Sequence, residues 1–185
     1  MRFRQSLAAL AFVALASAQQ VPRPAGKFAI RTTGGDPISL SQYPGKVVVL
    51  AFMFTTCPHC QHTSQVLSGI QDAYGDRGLQ ILGAFFNENA AQLIPDFVIK
   101  YKPDFPVGYV ARDQVDEYLQ HPVLKPTYVP VLVFIDRNGQ IREQHENDNF
   151  LAGDQAVNIR NVVETLIKEP ATAKKSAHSA HKKQS

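Results

Sequence analysis

Residues 46–60 read KVVVLAFMFTTCPHC, an apolar run that closes on two threonines and a pair of cysteines two residues apart. Lys46 to Phe54 (KVVVLAFMF) is almost unbroken apolar and rich in Val, the pattern of a strand covered on both faces. From Cys57 onward Val66, Leu67, Ile70, Ala73 and Tyr74 recur at helical spacing up to Gly75. Leu79 to Phe86 (LQILGAFF) is a second buried strand. A buried strand, an amphipathic helix and another buried strand predict a parallel pair, with Cys-Pro-His-Cys at the point where strand becomes helix.

Moving outward from this unit, Phe28–Ile30 and Ile38–Leu40 alternate apolar and polar around Gly34-Gly35 and Asp36-Pro37, which predicts an N-terminal β-hairpin. Downstream, Pro95 is expected at the first position of a helix running to about Tyr101, with Phe97, Val98 and Tyr101 facing inward. Val107–Ala111 reads as a short strand and Asp113–Leu119 as a short helix. Val131–Ile135 and Gln140–Glu143 flank Asn138-Gly139, a strong hairpin turn. Asp154 caps a final helix whose Ile159, Val162, Val163, Leu166 and Ile167 face the core. Alternating strands and helices with a closing hairpin give an α/β class: a central mixed sheet flanked by helices.

The ends carry different information. Met1–Ser6 is basic, Leu7–Leu15 apolar, and Ala16-Ser17-Ala18 a small-x-small site, so residues 1–18 read as a secretory signal peptide cleaved after Ala18. The alternative, a retained membrane anchor, has an apolar run of about 12 residues against the roughly 20 that a spanning helix needs. Either places the domain in a periplasmic or secreted setting, where disulfides persist. Residues 19–26 read as a linker, 27–169 as the domain, and 170–185 as a disordered basic tail. The formal charge of +3 comes from the ends, because 13 Lys/Arg face 16 Asp/Glu between Gln19 and Glu169. No nucleic-acid surface is expected. Apolar residues make up 44% and charged residues 19%, which excludes fibrous and wholly disordered classes.

The two cysteines are the only ones in the chain. Cys57 falls at a helix N-terminus, where unpaired N–H groups and the helix dipole favour a thiolate, the nucleophile of disulfide exchange. Pro58 suits the first helical position because it lacks an N–H. Cys60, one turn on, can attack a mixed disulfide at Cys57. His59, when charged, would further favour the Cys57 thiolate. A purely structural bridge is a poor alternative, since a four-residue loop yields about 2 kcal/mol against about 4.7 for a loop of roughly 100 residues. Cys57, His59, Cys60 and His62 could suggest a metal site, but on a helix the histidines turn away from a common centre and no second ligand pair completes a zinc site. A two-thiolate Cu(I) site stays open, with His178 and His181 as accessory ligands.

FMFTTCPHC after a Val-rich strand, with VPVLVFIDRNGQI downstream, resembles the thioredoxin superfamily. The N-terminal hairpin, the leader and GKVVVLAF resemble its TlpA/ResA-like extracytoplasmic branch over residues 27–168. That resemblance implies a thioredoxin-like fold and thiol–disulfide exchange with protein substrates, Cys57 as nucleophile and Cys60 as resolving cysteine. It also implies a cis Val129–Pro130 bond facing the cysteines, turning the Val129 backbone toward an incoming peptide. A monomer is expected, with a membrane or soluble redox partner and no small-molecule cofactor. Two departures stand out. The family's buried Asp six residues before the first Cys is Ala51 here, and Glu88 is the candidate replacement as proton relay, through partial burial. The inner Pro-His resembles DsbA-type oxidases, whereas the branch suggests a reductase, with cytochrome c maturation as its expected setting. A thioredoxin-fold peroxidase is a further alternative, weakened because Phe54 stands where the peroxidatic motif has Thr.

Overall fold

Strand β4 (Val47–Met53) is buried along its whole length because alternate side chains feed two separate cores. Val47, Val49, Ala51 and Met53 enter one, and Val48, Leu50 and Phe52 the other. The computed structural model describes residues 21–122 and 124–171. The expected signal peptide and all but residues 170 and 171 of the expected tail lie outside them.

In chain order the elements before β4 are β1 (Arg23–Pro24), β2 (Ala29–Ile30) and β3 (Ile38–Ser39). After it come α1 (Pro58–Tyr74), β5 (Leu79–Phe85), α2 (Ala90–Tyr101), β6 (Val107–Tyr109) and α3 (Arg112–Leu119). The chain closes with β7 (Val131–Ile135), β8 (Gln140–Glu146), α4 (Asn149–Ala152) and α5 (Gln155–Lys168). The main sheet has the order β1-β8-β7-β4-β5-β6. Strands β4, β5 and β6 run parallel, while β7, β8 and β1 add antiparallel pairs. The first core lies under α1, α2 and α5, with Leu67, Ile70, Ile94, Phe97, Ile159 and Val163 facing the sheet. The second lies under α3 and the β2–β3 hairpin, where Phe28, Phe52 and Tyr118 pack their rings together. The expected α/β class, mixed sheet and N-terminal hairpin are all present.

Three local expectations need correction. Helix α2 starts at Ala90, so Pro95 lies inside it and not at its first position. The first turn is held by other means: Asn87 O accepts the Ala90 N–H, and Asn89 O accepts those of Gln92 and Leu93. Pro95 is exposed, so its ring meets solvent, and one missing backbone bond is tolerated on that side. The register then leaves Val98 38% exposed and Tyr101 only half-buried, with Phe97 inward as expected. Residues 23 and 24, read as linker, instead pair with Ile141 and Gln140. Arg23 Nη2 donates to the Tyr118 carbonyl at 2.9 Å and to Gln144 Oε1 at 3.0 Å, fastening this segment to the domain. Finally, β8 extends to Glu146, three residues past its expected end.

Candidate active site

Cys57 occupies the N-cap position of α1 and Pro58 its first position. The Cys57 N–H donates to the Phe54 carbonyl at 3.3 Å, and its carbonyl accepts the Gln61 N–H at 3.0 Å, so the backbone is fixed from both sides. Its sulfur, however, makes no cap hydrogen bond to the first-turn amides. The thiol points across to the Val129 carbonyl, 3.9 Å away. Val129–Pro130 is cis, Pro130 is buried, and Val129 is half-buried against both cores.

Cys60 is fully buried in the first core, as is Ala51. Its sulfur accepts the Phe54 N–H at 3.5 Å. Burial pushes the Cys60 thiol well above the ordinary range, and the Cys57 sulfur beside it adds to the rise while the Phe54 amide opposes it. Both cysteines are free, so the pair is a dithiol with one half-exposed and one buried member. Among the described residues no group of three or more His, Cys, Asp and Glu side chains is placed to hold a metal ion.

His59 and Pro58 are exposed at the start of α1, and His59 makes no hydrogen bond or ion pair among the described residues. Glu88 is exposed as well, so the partial burial expected for it is not met. The neighbouring Asn87 is the residue that turns back to the site. Its Oδ1 accepts the Thr55 N–H at 2.9 Å, and its Nδ2 donates to Thr55 Oγ1 at 3.1 Å and to the Glu88 carbonyl at 2.9 Å. Gln61 Nε2 donates to the Thr55 carbonyl at 3.0 Å, so the loop that delivers Cys57 is held on both sides of one residue. The sequence carried a usable signal for Asn87: an Asx residue directly after a buried strand commonly bonds local backbone. Asn87→Ala should cost about 2 kcal/mol, because buried Thr55 loses partners for its amide and hydroxyl. Urea denaturation followed by circular dichroism measures this, and a change below about 0.5 kcal/mol would show the loop is held otherwise.

On the far side of the sulfur, Glu146 at the end of β8 secures the segment leading into Val129. Its Oε1 accepts the Tyr128 N–H at 2.6 Å, and its Oε2 lies 3.4 Å from His121 Nε2. Thr127 Oγ1 donates to Asp116 Oδ1 at 3.0 Å, fixing the same segment to α3. The structure thus brings Cys57, Cys60, Val129 and Pro130 together and leaves Glu88 and His59 at the solvent-facing edge.

Residues 21–144 match the AhpC/TSA family. Over 141 residues the chain is 30% identical to Protein DipZ of Mycobacterium bovis, a span of 76% of this chain and 19% of that one. Over 120 residues it is 27% identical to the thiol-disulfide oxidoreductase ResA of Halalkalibacterium halodurans, 64% of each chain. It therefore spans less than two thirds of either relative. The crystal structure of a thiol:disulfide interchange protein of the thioredoxin family from Chlorobium tepidum superposes with a TM-score of 0.66 at 21% identity, covering 81% of this chain and 99% of that one. At such identity the shared property is the fold, which is thioredoxin-like. Family match and superposed fold agree, and the chain, with its thioredoxin-like fold, belongs to the AhpC/TSA family.

Proposed function

We propose that this protein is an exported thiol–disulfide oxidoreductase that exchanges disulfides with protein substrates through Cys57 and Cys60. The observation that carries the reading is the asymmetry of the pair: a half-exposed sulfur at the head of α1, beside the Val129 carbonyl, with its partner buried one turn on. In the reducing direction the Cys57 thiolate attacks a substrate disulfide and one substrate sulfur leaves as a thiol. Cys60 then loses its proton and attacks the Cys57 sulfur, releasing the second substrate thiol and leaving Cys57–Cys60 oxidised. The Val129 backbone at the cis bond is the platform for the incoming peptide strand, with Pro58 bordering it. His59, when charged, supports the Cys57 thiolate through space, and Glu88 is left out of the proton path because it faces solvent.

The direction we assign is reduction, with electrons supplied by a membrane or soluble thiol partner and cytochrome c maturation as the setting. The sequence pattern of residues 1–18, read as a leader, supports export. Equilibration of the Cys57–Cys60 couple with glutathione buffers tests the direction, and a potential more negative than about −200 mV is expected. A value near −120 mV would reverse the direction and make the protein a disulfide oxidant. Rapid consumption of hydrogen peroxide by the reduced protein would instead favour the peroxidase reading.

A further inference from the structure

Helix α2 turns one stripe, Asp96, Phe97, Lys100 and Tyr101, toward the loop that carries the nucleophile. Between that stripe and Thr56 and Gln61 lies an open cavity of about 350 Å³. This volume falls within the roughly 300–1,000 Å³ typical of small-molecule sites. Thr56 immediately precedes Cys57, so the cavity opens one residue along the chain from the nucleophile. Phe97 and Tyr101 form an aromatic floor, their ring centroids 4.7 Å apart. Two opposite charges stand on it. Asp96 and Lys100 are spaced i, i+4 on the helix, where such a pair ordinarily meets. Here they form no ion pair with each other, nor with any other described residue. Among the described residues Asp96 accepts no hydrogen bond, and Lys100 Nζ instead sits 5.1 Å from the centre of the Tyr101 ring. The cavity therefore presents a separate carboxylate and ammonium over an apolar base, with the Thr56 hydroxyl alongside.

We propose that this cavity binds the free α-amino-acid head group of a low-molecular-weight disulfide such as cystine, as a second substrate class beside proteins. The head group carries an ammonium and a carboxylate on one carbon, matching Asp96 and Lys100. A cysteine inside a polypeptide lacks both charges and would not use these contacts. The proposal rests on the thiol–disulfide reading of Cys57 and Cys60. The reaction balances as an exchange: the Cys57 thiolate attacks one sulfur of cystine, and one cysteine departs and takes up a proton. Cys60 loses its proton to the second departing cysteine as it closes the Cys57–Cys60 disulfide. The protein is oxidised by two electrons and cystine is reduced by two.

Single-turnover oxidation of the reduced full-length protein, followed by acid quench and mass spectrometry, tests this with cystine and with the neutral bis(2-hydroxyethyl) disulfide. Each rate is normalised to that of free dithiothreitol with the same disulfide. The wild-type protein should prefer cystine about twentyfold, and Asp96→Asn and Lys100→Gln should each cut that preference about fivefold, as expected for losing one partly exposed charge contact. Cystamine, which keeps only the ammonium, should lose its preference in Asp96→Asn, while dithiodipropionate, which keeps only the carboxylate, should lose its own in Lys100→Gln. A wild-type preference near one, or preferences that neither variant moves, would overturn the cavity assignment while leaving the redox reading intact. Failure of the wild-type protein to react with either disulfide would overturn both.

Discussion

Cys57→Ser should lower disulfide exchange by about 10⁴-fold or more, because the hydroxyl that replaces the thiol cannot act as a nucleophile toward sulfur at neutral pH. Cys60→Ser should behave differently. Its Cys57 remains half-exposed and able to attack, yet no thiol remains to release the product, so a one-to-one mixed disulfide with the substrate should accumulate. Non-reducing electrophoresis and intact-mass measurement separate the outcomes. Adduct on Cys57→Ser, or full turnover by Cys60→Ser, would reverse the assigned roles. The roles also predict a pH dependence. Burial holds the Cys60 thiol protonated well beyond neutrality, with no carboxylate or imidazole of the described residues acting on it and Ala51 in the same core. Release of the mixed disulfide requires the deprotonated form, so its rate should rise nearly tenfold per pH unit from about pH 6 to 9. A plateau inside that window would mean that some group takes the Cys60 proton nearby.

How far this site could be read from the chain alone follows from the range of each interaction. The apolar run into Cys57 and the helical spacing after it are local patterns, and β4 and α1 form where those patterns place them. Cys57 at the N-cap and Pro58 behind it follow from the same short stretch. The contact of Cys57 with Val129 spans 72 residues, and no local pattern encodes it; it was reached only through resemblance to a known family. The pairing of β1 with β8 fails to register in the sequence for a similar reason, because a two-residue edge strand next to prolines has no periodicity to display. The exchange of Glu88 for Asn87 is a matter of a single residue. Chemistry singled out the carboxylate, whereas the amide both donates and accepts and so satisfies Thr55 on two counts. The helix penalty of Pro95 points to a helix start there, but the carbonyls of Asn87 and Asn89, with Asn89 at a φ of 55°, open α2 five residues earlier.

Gly108→Ala should be the most damaging of the glycine substitutions, with a loss of about 3 kcal/mol or more in urea denaturation. Gly108 lies in β6, the edge strand, opposite Ala84. A methyl added there would sit 2.2 Å from the Arg31 carbonyl oxygen and 2.7 Å from Ile30 Cγ2. The first of these is backbone and cannot swing aside. Arg31 and Tyr109 exchange hydrogen bonds of 3.0 and 2.8 Å at this point, the bridge by which the N-terminal hairpin docks on the main sheet. Relieving the clash means lifting the hairpin, breaking both bonds and exposing Phe28 and Ile30, which cover the second core. Gly83→Ala provides the contrast, since its methyl would meet Val107 Cγ1 at 2.9 Å and Phe105 Cε2 at 3.2 Å, both side-chain atoms able to shift. A smaller cost of about 1–2 kcal/mol is expected there. At Gly34 nothing lies within 4 Å, and Ala should change stability by less than about 0.5 kcal/mol. If Gly108→Ala were no more damaging than Gly34→Ala, the hairpin would not be seated on β6, and the second core would have to be closed by something other than Phe28 and Ile30.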